Sequence, residues 1–132
     1  MIRTDWEAVE PKIHYSGFKR TYTIYSLVNL DNGKRYIGRS KNLAWRLKQH
    51  FKAIEKHNHY NELINADSNC RFGFEVLEEY VTFEDRTQKE RDYIAKYESY
   101  IESKGYNVKD HYVKTIRKHN AESISHQTGQ IE

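Results

Sequence analysis

Two tyrosines flank an Asn-Gly pair in the stretch TIYSLVNLDNGKRYIGRS, residues 23–40, and an arginine and a histidine follow closely behind. The phenols of Tyr25 and Tyr36 can donate or accept a hydrogen bond and, among cations, lose a proton. Arg46 offers a planar fork that binds phosphate through two parallel hydrogen bonds and never loses its charge. His50 accepts a proton near neutral pH. Far downstream stands Glu90, an acid that can hold a hard metal ion. Each also has an ordinary role, since tyrosines suit strands and an Arg/His pair suits a solvated helix face.

Strands and helices must bring these groups together. Residues 22–29 are β-branched and aromatic, Asn32-Gly33 is a hairpin signal, and Lys34 to Gly38 continues as a second strand. With a two-residue loop Asn29 sits opposite Tyr36 and shares a face with Tyr25, so both phenols point the same way. A four-residue loop preserves this and a three-residue loop separates them. Asn42 caps a helix carrying Leu43, Leu47, Phe51 and Ile54 and ending near His57-Asn58; Arg46 and His50 lie one turn apart beside that apolar stripe, at the rim of the core.

A shorter helix is expected over Tyr60 to Ala66, and a third strand over Arg71 to Glu78 with Phe72, Phe74 and Val76 on one face. Thr82 then opens a long helix that runs to about Ser103 and stops at Gly105. On it Ile94, Tyr97 and Ile101 form a buried stripe, and one turn back from Ile94 lies Glu90. A carboxylate there needs an arginine or a metal ion as partner, unless the stripe emerges into water at the helix start. The order of elements predicts an α+β fold, a small three-stranded, mostly antiparallel sheet flanked by helices.

The chain of 132 residues suits one domain, and its low hydrophobic content of 37% is offset by eleven tyrosines that bury rings while keeping a polar tip. The net charge of +3 says little, but its distribution says more. Lys34, Arg35, Arg39, Lys41, Lys48 and Lys52 join Arg46 in a segment without Asp or Glu, a candidate strip for nucleic-acid phosphates. Cys70 stands alone, which excludes an internal disulfide. No apolar run suits a membrane or a leader, so the reading is a cytoplasmic protein. Residues 1–20, with Trp6, Pro11 and Gly17, read as an extension packing a few rings onto a domain at 21–110. Residues 111–132, with Lys114, Arg117 and Lys118, read as a polar, partly disordered tail.

Thr23-Ile24-Tyr25 and Tyr36-Ile37-Gly38, followed in order by Arg46, His50, His59, Glu90 and Gly105-Tyr106-Asn107, resemble the motifs of the GIY-YIG nuclease superfamily, as found in phage and intron homing endonucleases. Thr23 departs from the glycine of the first triplet, a matter of backbone packing rather than chemistry. The resemblance implies hydrolysis of phosphodiesters in double-stranded DNA, with magnesium or manganese held by Glu90. It implies that Arg46 binds the scissile phosphate, that Tyr25 or His50 activates water, and that Tyr36 orients the water or the phosphate. His59 would touch the phosphate, and Asn107 would tie the end of the fold to the site. An alternative is a catalytically silent nucleic-acid-binding module using the strip at 34–52, but such a module has no need of a carboxylate beside a polyanion. No zinc-finger spacing follows Asn107, so either the domain reads its own target, with help from the extension, or it cuts with little sequence preference, or a partner targets it; a break of both strands would take two turns or a homo-oligomer.

Overall fold

The computed structural model describes residues 1–108. A 3-10 turn at Trp6–Ala8 precedes a small hairpin of β1 (Tyr15–Ser16) and β2 (Lys19–Arg20). Strands β3 (Tyr22–Asn29), β4 (Arg35–Ser40) and β5 (Phe72–Val81) form an antiparallel sheet in the order β4-β3-β5. Helices α1 (Leu43–Glu55) and α2 (Glu62–Ala66) come between β4 and β5, and α3 (Arg86–Tyr97) follows. The fold is α+β, as the pattern of elements predicts. The tail at 111–132, including Lys114, Arg117 and Lys118, lies outside the described residues.

Leu27 pairs with Tyr36, Tyr25 pairs with Gly38, and the Asn29 N–H donates to the Lys34 carbonyl at 2.9 Å, so the hairpin loop is residues 30–33. The longer loop wins because the buried Asn29 accepts the N–H groups of Asp31 at 2.9 Å and Asn32 at 3.3 Å with its side-chain oxygen. An even slip of register leaves both phenols on one face.

Alternation divides the sheet into two layers. Tyr25, Leu27, Tyr36, Phe72 and Phe74 pack with Leu47, Phe51 and Ile54 of α1, whereas Ile24, Ile37 and Val81 face Tyr93, Ile94 and Tyr97 of α3. Asn42 caps α1 by accepting the Trp45 N–H at 3.2 Å. Trp6 stacks on Phe51 with centroids 5.4 Å apart, and Arg3 pairs with Phe74 as an added strand residue, so the extension covers the edge of the core.

The last helix corrects the sequence reading at both ends. Thr82 caps the turn before it, accepting the Asp85 N–H at 3.2 Å, and the helix proper starts at Arg86. It stops at Tyr97 because Glu98 turns left-handed (φ 53°), which aims the buried Ser99 into the interior. Ile101 is therefore off the helix, and the apolar face of α3 is half-buried rather than buried. Gly105 is no cap. A Cβ there would stand 2.4 Å from Ser99 Cα, and the segment bridges Arg35 of β4 in parallel.

Asn107 closes this turn. Its amide donates to the Ile37 carbonyl at 3.0 Å and accepts the Ile37 N–H at 2.7 Å, replacing a neighbouring strand at the open edge of β4. Asn107→Ala leaves both backbone groups unpaired and should lower stability by about 1–3 kcal/mol in equilibrium urea unfolding. Unchanged unfolding would show that the edge finds other partners.

Candidate active site

Tyr25 and Tyr36 meet on the α1 face because they alternate correctly on paired strands, and His50 reaches them from α1. The Tyr25 hydroxyl lies 2.7 Å from His50 Nε2, and both phenol rings lie 5.6 Å from the imidazole, centroid to centroid. Gly38 makes this packing possible. A Cβ on Gly38 would come within 2.6 Å of the Tyr25 oxygen, so only glycine admits the phenol.

The sequence places His50 at the rim of the core, but it is 2% exposed. An imidazole tolerates such burial only when both nitrogens are satisfied, and here they are: Nδ1 lies 2.8 Å from His59 Nε2. The direction of the chain follows from its far end. The backbone N–H of Asn61 donates to His59 Nδ1 at 3.0 Å, so neutral His59 carries its proton on Nε2 and gives it to His50 Nδ1. His50 in turn carries its proton on Nε2 and donates to the Tyr25 oxygen. Burial holds both histidines neutral, reinforced by Arg46: it pushes His50 far down, and His59 to about 4.

Tyr25 is fully buried, and that burial pushes its phenol up while Arg46 pulls it down. Tyr36 is likewise raised by burial, and its hydroxyl lies 2.8 Å from that of Tyr60. Tyr60 stacks on His59 at 4.7 Å and accepts from Arg46 at 3.4 Å. The sequence reading missed Tyr60; its signal was an aromatic directly after a candidate histidine. Arg46 also donates to Gln49 at 3.1 Å, yet its Nε is buried with no partner.

Glu90 comes from the other layer. It is paired with Arg39 of β4 at 2.7 Å, which meets the sequence-derived demand for a cationic partner. Burial raises the Glu90 carboxyl while Arg39 opposes it, and the charge of Glu90 is still felt at Tyr25. Among the described residues no group of three His, Cys, Asp or Glu could hold a metal ion by itself. One carboxylate with hard oxygen donors still fits a hydrated magnesium ion, which takes its other ligands from water and substrate.

The basic strip does not stay together. Arg35 pairs with Glu75 at 2.8 Å and lies over Tyr97, and Arg39 is held by Glu90, both on the α3 face. Lys41 and Lys48 are exposed, Lys34 lies 5.9 Å from the centre of the Tyr106 ring, and Lys52 meets Glu55 at 3.7 Å.

A hydrogen-bonded phenol on β3, a guanidinium on α1 and a carboxylate on α3 are thus carried by one small antiparallel sheet and its helices. The family model for the GIY-YIG catalytic domain matches residues 21–107, and the chain belongs to this family. The structure is similar to the catalytic domain of the intron endonuclease I-TevI, with 29% identity and a TM-score of 0.58 over 64% of this chain and 95% of that one. A point mutant of the same domain gives 31% identity and a TM-score of 0.60 over 68% and 95%. No curated protein matches the chain. Among the described residues no helix is long and apolar enough to cross a membrane.

The buried histidines link stability to pH. Unfolded His59 takes a proton below its ordinary value of 6.5, whereas folded His59 resists until about 4. The unfolded chain therefore binds more protons in that window, and stability falls as pH drops through it. Urea unfolding at pH 7 and pH 5 should show the loss, and His59→Gln should shrink it. A pH-independent midpoint would contradict the neutral pair.

Proposed function

We propose that this protein is a DNA endonuclease that hydrolyses phosphodiester bonds of the duplex with a divalent cation, magnesium or manganese, held by Glu90. The observation that carries the reading is the donor chain ending on the Tyr25 oxygen, beside the Arg46 guanidinium, whose charge favours loss of the phenol's proton.

Arg46 is the phosphate ligand. Its contact to Tyr60 is long and its bond to Gln49 is exposed and to a neutral group, so a phosphate oxygen displaces them at little cost. As Arg46 moves onto the phosphate, the covered Tyr25 oxygen opens to a water. Tyr25 is the base of choice: both nitrogens of His50 are occupied by hydrogen bonds within the protein, whereas the phenol stands at the head of the chain. Tyr25 first releases its proton to bulk solvent, and the His50 Nε2–H stabilises the phenolate, with His59 and Asn61 keeping His50 in the tautomer that can do so. The phenolate then takes a proton from the water as the water oxygen bonds to phosphorus, and the bond from phosphorus to the leaving oxygen breaks. Tyr36 and Tyr60, joined through their hydroxyls, orient the phosphate or the water. The cation would neutralise charge on the phosphate and on the leaving oxygen. Arg39 holds the Glu90 carboxylate in place until then.

Plasmid DNA incubated with magnesium should be nicked or linearised. EDTA or Glu90→Ala should stop cutting, and Arg46→Ala should slow it about 100-fold or more, as removal of a transition-state donor does. Cutting by Glu90→Ala at the wild-type rate would remove Glu90 as the cation's ligand. The pH profile identifies the base. With the buried Tyr25 as base, the rate climbs about tenfold per pH unit above neutrality, because the phenol is still protonated there. A profile flat above pH 7 would point instead to a base already deprotonated there, such as neutral His50.

A further inference from the structure

The hairpin β1–β2 lies outside the residues that match the family and carries a side chain with no role in the fold. Phe18 sits at its tip with 104% relative exposure, and Tyr15 beside it is 61% exposed. The tip is held in shape. Gly17 adopts a φ of +67°, and the register Tyr15 to Arg20 and Ser16 to Lys19 leaves Gly17 and Phe18 as the turn. The base is anchored as well: the Thr21 N–H donates to the His14 carbonyl at 2.7 Å, and His14 meets the Tyr80 ring edge-on at 4.8 Å. Lys19 reaches Glu84 at 2.9 Å and lies 4.4 Å from the centre of the Phe83 ring. An exposed phenylalanine on a braced turn is a wedge without a slot.

The chemistry around it suggests the slot. Between Pro11 and Tyr22 the chain has Lys12, His14, Lys19 and Arg20 and no acid. A cleft of about 270 Å³ lies beside the base of the hairpin, where His14 and Thr21 line it together with Lys12, Thr23 and Lys41, and with Glu10 and Glu79 also in its wall. Thr23, in its wall, stands two residues before Tyr25 on β3. Seven residues separate Phe18 from Tyr25, a reach of at most about 25 Å, less than one turn of duplex.

We infer that the hairpin is a second DNA contact, inserting Phe18 between base pairs to one side of the cut while Lys12 and Arg20 hold the flanking phosphates. This rests on the reading of the chain as a DNA endonuclease. An exposed apolar tip on a segment with basic residues and no acid of its own matches a polyanion with a stacked apolar interior, and partial unstacking of a base step is the usual result of such a wedge.

The test uses the full-length protein in EDTA with fluorescein-labelled duplexes, and a second set in which 2-aminopurine is moved along the sequence. Wild type should brighten 2-aminopurine at one step displaced from the cut. Phe18→Ala should abolish that signal and weaken binding by about tenfold or more without changing the salt slope. Lys12→Ala with Arg20→Ala should reduce the slope of log K against log salt by about 2. Wild-type protein that binds and cuts DNA while Phe18→Ala matches it in affinity and fluorescence would overturn the hairpin proposal alone, and would leave the wedge to a protein partner. Wild type that neither binds nor cuts any duplex would overturn the endonuclease reading itself.

Discussion

A hydrogen bond with a defined direction, from the Asn61 amide through His59 and His50 to the Tyr25 oxygen, sets the chemistry available to this domain. Its cause is mundane. A backbone N–H cannot reverse, so the ring that accepts from it must donate at its other nitrogen, and the next ring must do likewise. Burial then keeps both rings neutral, because a second proton on either would put an uncompensated charge in the core beside Arg46. The phenol at the end receives a donor that it did not have to attract by ionising. Much of the local packing follows from this line: Gly38 has no side chain because Tyr25 needs the space, and Tyr60 stacks on His59 because the pair must stay dry.

The two layers of the sheet divide the work. The α1 layer buries the proton-handling groups, and the α3 layer brings an acid to the edge of the sheet under the control of Arg39. Neither layer alone contains the full set. Keeping Glu90 on the far layer sets it apart from the phenols, whose ionisation its negative charge opposes. Asn107 fastens the open strand between the two layers, so loss of that edge would loosen both halves together.

The fold was largely readable from local pattern. The β-branched and aromatic content of residues 22–29 gave β3 its bounds, Asn42 gave α1 its start, and an even loop placed both phenols on one face whether it had two residues or four. The errors arose where tertiary contacts override local preference. Gly105 looks like a helix stop, but Ser99 and Arg35 determine its place. His50 looks like a rim residue by helical spacing, and nothing local announces that a histidine from another loop satisfies its second nitrogen. Arg35 and Arg39 read as free cations because the acids that claim them, Glu75 and Glu90, are distant in sequence.

The direction of the histidine chain is open to direct measurement. Long-range proton–nitrogen correlation NMR on protein labelled with nitrogen-15 at histidine reports which ring nitrogen carries the proton. The account predicts that His50 and His59 are both neutral at pH 7 with the proton on Nε2. A proton on Nδ1 of His50, or an imidazolium at either ring at that pH, would reverse the chain and contradict the role given to Tyr25.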